Sequence, residues 1–253
     1  MSASPKRVCL LTGASGRLGT QFRRLYGHRY AIVAVSHTQT AVQLPCMSWH
    51  VDPLAPEVRT PASGQGFAAI RGDLTDPGQI PRIVDFALTT FGRVDVLVNA
   101  AASVRRAPLM SGEPAITDLT RMLDLNAVAP LRLAIELAQK FWRSREAENT
   151  AMSRNVVNIS STSGAYVFPG LGQSGYSASK AALNMLTCHM AEEFAELGIR
   201  VNSVAPDTFP QRVTTESVCD AIARVDQGAM TGEMLLLEAD DRLGSEQTEG
   251  EVT

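Results

Sequence analysis

The sequence predicts one doubly wound α/β domain, a parallel sheet with helices on both faces. Three observations predict it. Short apolar, β-rich runs alternate along the chain with longer stretches of helical periodicity. Several of those runs lack alternation, as strands covered on both faces do. A glycine-rich turn, TGASGRLG (12–19), directly follows the first run and opens a helical stretch.

Taken in order, VCLLT (8–12) is the first strand. The basic residues ahead of it resemble the start of a leader, but Thr12 and Gly13 end the apolar stretch too early for a signal peptide. Helical periodicity at 17–27 leads to a second strand, AIVAVS (31–36). Segment 41–66 breaks the rhythm. Its prolines at 45, 53, 56 and 61 exclude a regular helix, so the expectation there is a long surface loop. The pattern resumes with strands FAAIRGD (67–73), VDVLVNA (94–100), NVVNIS (155–160), IRVNSVA (199–205) and EMLLLE (233–238). Helical stretches at 78–91, 115–143, 175–197 and 214–225 alternate with them. Neither a repeat nor an interdomain linker appears, which makes 1–238 a single domain. From Ala239 the chain turns acidic and polar, and 239–253 reads as a flexible tail.

The 253 residues are 45% apolar, enough for a buried core. A formal net charge of -3 gives no electrostatic reason to expect nucleic acid or an anionic membrane as partner. No apolar run approaches the ~20 residues that span a bilayer. The cysteines at 9, 46, 188 and 219 are far apart, without a C-x-x-C pair, so the expectation is no metal site and reduced thiols in a cytoplasmic protein.

Two patterns carry chemistry. Gly13, Gly16 and Gly19, spaced G-x-x-G-x-x-G at a helix start, allow backbone to approach a ligand closely and offer N–H groups to a pyrophosphate. In YSASK (176–180), Tyr176 and Lys180 share one helix face, with only Ser177, Ala178 and Ser179 between them.

With these in place the chain resembles the short-chain dehydrogenase/reductase family over nearly its whole length. TGASGRLG, RGDLTD (71–76), LVNAAAS (97–103), DLNAVAP (124–130), VVNISS (156–161), YSASK and VNSVAP (201–206) match family motifs in family order. A lone Y-x-x-x-K recurs by chance; seven ordered motifs do not. The resemblance implies a Rossmann-type fold and an NAD(P)(H)-dependent oxidoreductase that interconverts a carbonyl and an alcohol on a small molecule. It places the cofactor on Gly13, Ser15, Gly16, Arg17, Leu18, Gly19, Asp73, Leu74, Asn99, Ala100, Ala101, Tyr176, Lys180 and Pro206. It makes Tyr176 the acid/base, with Lys180 lowering its pKa, Ser161 holding the substrate oxygen and Asn126 ordering the lysine's proton path. Ser163 competes with Ser161 on spacing to the tyrosine. Ser161 is preferred because it ends the fifth strand, where ligands approach α/β sheets.

The chain also departs from the family pattern. Arg17 stands where the second glycine is usual, Ala100 to Ala102 replace Asn and Gly, and Asp207 follows Pro206 where glycine is common. The segment after Pro206 is short, which leaves the pocket open or roofed by 41–66 or the tail. Two other readings compete: an epimerase- or dehydratase-like enzyme, for which too few residues follow Lys180, and a catalytically quiet nucleotide-binding sensor. No acidic residue lies between Tyr30 and Val51, so nothing at the end of the second strand would repel a 2′-phosphate. Ser36, His37 and Thr38 can donate hydrogen bonds there, and NADP(H) is expected over NAD(H). The neighbouring Arg105 and Arg106 are candidates to clamp an anionic substrate. Family habit implies a homodimer or homotetramer through the helices at 115–143 and 175–197.

Overall fold

The structure, a computed structural model, describes residues 6–38, 49–52, 55–61 and 66–239. Its strands are β1 (Arg7–Leu11), β2 (Tyr30–Ser36), β3 (Trp49–Asp52), β4 (Ala55–Pro61), β5 (Phe67–Arg71), β6 (Val96–Asn99), β7 (Asn155–Ile159), β8 (Arg200–Pro206) and β9 (Met234–Leu237). They form one sheet in the order β3-β4-β5-β2-β1-β6-β7-β8-β9. The seven strands from β5 to β9 in that order are parallel. From β1 the chain steps outward through β2 to β5, then crosses back to β6 on the other side of β1. The β1/β6 junction is therefore the topological switch point, where α/β sheets open a crevice at the carboxyl ends of their strands.

The surface loop expected at 41–66 needs correction. Its residues 49–52 and 55–61 form an antiparallel hairpin, β3–β4, whose second strand pairs antiparallel with β5. Proline forbids helix but not strand where no ladder N–H is required. Pro61 closes β4, and Pro56 falls at the register shift beside the Asp52–Ala55 pair. The remainder of the segment, and the tail beyond residue 239, lie outside the described residues.

Helices α1 (Arg17–Tyr26), α2 (Gln79–Phe91), α3 (Glu113–Leu123), α4 (Ala129–Leu137), α5 (Glu146–Ala151), α6 (Ser174–Glu193) and α7 (Thr215–Gln227) complete the architecture. Alternation along β1 divides its side chains between two cores. Leu10 joins Val33, Ile83, Leu133 and Met190 beneath α2, α4 and α6. Cys9 and Leu11 join Phe22, Ile32, Val218 and Ile222 beneath α1 and α7. At the amino ends of the strands Asp226 accepts from Tyr30 Oη at 2.8 Å and pairs with Arg7 at 2.8 Å, which fixes β1, β2 and α7 together. Among the described residues no helix is long and apolar enough to cross a membrane.

The stretch 115–143 is not one regular helix. Between α3 and α4 lies a π-helical turn, Asp124–Val128, in which Ala129 N–H reaches back five residues to the Asp124 carbonyl. Pro130 supplies the local reason: it has no N–H to give the Asn126 carbonyl. A second π turn, Ala138–Trp142, follows α4. Such turns cluster at functional sites, and the first one carries Asn126.

Candidate active site

The switch-point crevice is organised by Thr12 at the end of β1. Its N–H donates to the Val98 carbonyl at 3.0 Å, and its Oγ1 accepts from Ala100 N at 3.0 Å and Ala101 N at 3.1 Å. The turns after β1 and β6 are thereby locked together, and a Cβ on Gly13 would sit 2.8 Å from Ala100 O and Ala101 N. Gly13 also has φ +65°, a conformation L side chains avoid. On Gly19 a Cβ would stand 2.5 Å from Gly13 O, so the α1 start packs directly on the turn. No side chain caps α1 at Gly16, and no acid sits in its first turn. This bare helix start, over a cradle that a side chain would fill, fits a dinucleotide pyrophosphate.

Above it runs a cleft of ≈ 350 Å³. Gly13, Gly16, Arg17 and Leu18 of the glycine turn line it together with Ser161, Tyr176 and Lys180. Ser15 is half-buried beside this lining, in the same turn. Pro206 and Asp207, at the end of β8, face the same space. Ser161, at the carboxyl end of β7, is close enough to the Tyr176 hydroxyl to pull its pKa down. Ser161 Oγ also accepts from Ser163 N at 3.1 Å, and Ser163 Oγ is taken by Gln173 Nε2 at 3.1 Å. Of the two candidate serines, Ser161 is the one that acts on the tyrosine's pKa.

Lys180 is almost wholly buried, and its Nζ donates to the Ile159 carbonyl at 2.7 Å. The expectation that it holds down the Tyr176 pKa is not met in this structure. Burial raises the Tyr176 phenol above its ordinary value, and the opposing pull comes from the Ser161 hydrogen bond. The geometry explains this: the Nζ is committed to a backbone carbonyl and lies 5.9 Å from the centroid of the Tyr176 ring. Burial in turn lowers Lys180 to about 7.

Asn126 is buried and joins three segments. Its Nδ2 donates to Ser103 O at 2.9 Å and to Ser179 Oγ at 3.0 Å, while its Oδ1 accepts from Ser103 N at 2.8 Å. Ser179 Oγ in turn donates to Tyr176 O at 2.7 Å, so Asn126 steadies the turn of α6 that carries the tyrosine. Asn99 gives its Nδ2 to Asn158 Oδ1 at 2.8 Å, and Asn158 passes the chain on to Thr187 on α6. Sequence reasoning missed Thr12 and Ser179. Their signal was only a small hydroxyl residue beside a recognised motif.

The adenosine end is less as expected. Asp73 takes Thr75 N and Oγ1 at 2.9 and 2.7 Å on one oxygen, which holds its carboxyl below the usual range, with His37 contributing. Its other oxygen is 3.6 Å from His37 Nε2. Leu74 is buried in the core behind it. Ser36 is only 4% exposed, which puts its hydroxyl below the surface where a phosphate would lie. Arg17, His37 and Thr38 are exposed.

The mouth also differs from expectation. Val104 and Arg106 line the cleft, but Arg105 lines a separate hollow with Leu109, Ile116 and Met122. Successive residues on an extended loop point oppositely, so the expected arginine pair is split. Phe168 and Leu171 of the loop 165–173, with Thr208 and Phe209 after β8, supply the walls, and no described residue of the 41–66 segment lines the cleft. Asp207 holds the short segment after Pro206: it accepts from Thr208 N at 2.6 Å and pairs with Arg212 Nε at 3.1 Å.

The sequence model of the short chain dehydrogenases matches residues 7–218, from β1 into α7. The chain belongs to the short-chain dehydrogenase family. It is 33% identical to cis-4-hydroxycyclohexanecarboxylate dehydrogenase of Sinomonas cyclohexanicum over 81% of this chain and 74% of that protein. To a 3-oxoacyl-acyl-carrier-protein reductase of Thermotoga maritima it is 29% identical over 79% and 73% of the two chains. Among solved structures, an oxidoreductase of the family from Brucella ovis, in complex with a partially ordered NAD, superposes with a TM-score of 0.70. That pair is 26% identical and covers 92% of this chain and 100% of the other. A short chain dehydrogenase from Mycobacterium smegmatis, 22% identical, shares the fold at a TM-score of 0.73 over 93% and 92% of the chains. As a member of this short-chain dehydrogenase family, the chain is an oxidoreductase.

Proposed function

We propose that this short-chain dehydrogenase interconverts a carbonyl and an alcohol on a small organic substrate, with Tyr176 as acid/base and NADP(H) preferred over NAD(H). The observation that carries this reading is the meeting of Ser161, Tyr176 and Lys180 in one cleft with the glycine turn. When bound, the nicotinamide supplies or accepts the hydride.

In the reducing direction Tyr176 would give its proton to the substrate oxygen. Ser161 donates to the same oxygen as negative charge builds on it. A phenol whose pKa is raised by burial is fully protonated at neutral pH and available as the donor. Lys180, titrating at about 7, returns a proton to the phenolate. Asn126 acts by positioning, through Ser179. In the oxidising direction Tyr176 accepts the hydroxyl proton. Arg17, exposed beside the glycine turn, would hold the 2′-phosphate, since its planar guanidinium suits phosphate oxygens. Ile116, Ile135 and Met185, exposed on α3, α4 and α6, support a homodimer or homotetramer through those helices.

The reading is tested by Tyr176→Phe. Turnover with any carbonyl substrate found by screening should fall at least a hundredfold, while the cofactor dissociation constant changes less than threefold. Near-normal turnover would remove Tyr176 from the role.

A further inference from the structure

The part of the cleft beyond Tyr176 has an uneven composition. Its walls carry apolar side chains, Val104 from the turn after β6, Phe168 and Leu171 from the loop 165–173 and Phe209 from the segment after β8, with polar Gln173 and Thr208 among them. Val104 is 55% exposed and Leu171 43%, so apolar surface is held open at the mouth. The two loops meet there. Gly172, with φ +58°, neighbours Pro108, whose ring lies 3.6 Å from where a Cβ would stand. The wall is thus built from two segments far apart in sequence.

Charge within the cleft is as uneven. Among the described residues, four ionic side chains line it: Arg17, Arg106, Lys180 and Asp207. Lys180 is engaged by the Ile159 carbonyl, and Arg17 stands in the glycine turn. The carboxylate of Asp207 is already satisfied by Thr208 N and Arg212, so it leaves no unpaired negative charge facing a ligand. Arg106 is then the cation on the apolar side, and it has no hydrogen-bond or ion-pair partner among the described residues. A guanidinium beside apolar walls suits a carboxylate attached to a hydrocarbon body: the fork takes both oxygens while the walls bury the carbons. One cation matches a monoanion in charge.

We propose that the substrate is an apolar-bodied carbonyl or alcohol bearing a carboxylate, and that Arg106, not Arg105, selects it. This rests on the oxidoreductase reading and names the substrate class for the same cleft.

The test separates the two. Binding of a panel of five- to ten-carbon aliphatic and cyclic carboxylates, and of their primary amides, is measured by calorimetry on the full chain saturated with NADP⁺. The same measurement is made on Arg106→Gln and Arg105→Gln. At least one carboxylate should bind tenfold or more tightly than its amide to the unaltered protein and to Arg105→Gln, and the ratio should fall below threefold in Arg106→Gln. Equal affinity for acids and amides, a ratio that survives in Arg106→Gln, or no carboxylate binding at all would overturn the proposal. Keto acids and their methyl esters are assayed alongside. Ester turnover equal to that of the acids would leave the oxidoreductase reading standing and remove the carboxylate. Carboxylate selection without turnover of any ketone would instead remove the oxidoreductase reading on which the proposal rests.

Discussion

The Lys180 ammonium donates to the Ile159 carbonyl at 2.7 Å, which ties the middle of α6 to the carboxyl end of β7. That contact is made by a group burial has brought to about 7, against an ordinary lysine near ~10.4. Below pH 7 lysine is charged in both the folded and the unfolded chain, and the full cost of burying the charge is present. Between about 7 and ~10.4 the unfolded chain holds more protons than the folded one, so stability rises with pH and the cost is relieved. Lys180→Met should therefore raise the thermal midpoint at pH 6, by roughly 2–4 °C for each kcal/mol recovered. The gain should shrink toward zero by pH 10. Thermal unfolding across that range checks it, and a gain independent of pH would mean that packing, not charge, is responsible.

Ser161 and Ser163 differ in what their hydroxyls do. Ser161 pulls the Tyr176 pKa down, whereas Ser163 Oγ is occupied by Gln173 at 3.1 Å. Ser161→Ala should cost about 10²–10³ in kcat, the usual size for losing one donor to a developing oxyanion. Ser163→Ala should cost less than tenfold. Steady-state kinetics of the two variants decide, and a larger loss at Ser163 would reverse the assignment.

Gly13 and Gly16 separate fold from ligand. Alanine at Gly13 would hold φ +65° and meet the Ala100–Ala101 backbone at 2.8 Å. The left-handed conformation alone costs about 1–2 kcal/mol, so Gly13→Ala should lower the thermal midpoint of the free protein by several degrees. At Gly16 the added Cβ meets only Gly13 O, at 3.2 Å. Gly16→Ala should leave that midpoint within about 2 °C and weaken cofactor binding at least tenfold. The pair is read by calorimetry and cofactor fluorescence.

Arg17 lines the cleft and is exposed, as are His37 and Thr38, whereas Ser36 is buried. NADPH should bind at least tenfold more tightly than NADH, a difference of about 1.4 kcal/mol. Arg17→Ala should bring the two dissociation constants within threefold. Equal affinities in the unaltered protein, or tighter NADH, would exclude the preference.

The sequence by itself determined what depends on local pattern. Parallel strands buried on both faces must be apolar, so β1, β2 and β5 to β9 announced themselves. Tyr176, Lys180 and the glycines at 13, 16 and 19 were legible because helix periodicity and a tight turn fix their neighbours within a few residues. Tertiary structure decided what depends on distant segments. Asp73 comes within 3.6 Å of His37 only because β5 lies beside β2. Ser36 is covered, Arg105 and Arg106 part company, and Lys180 turns to a strand carbonyl 21 residues away rather than to its helical neighbour. Proline at 56 and 61 ruled out helix but left loop and strand equally open, and pairing with β5 chose strand. Local sequence limits the conformations a segment can take; partners brought in by folding choose among them, because burial and hydrogen-bond satisfaction are settled by contacts the segment does not itself contain.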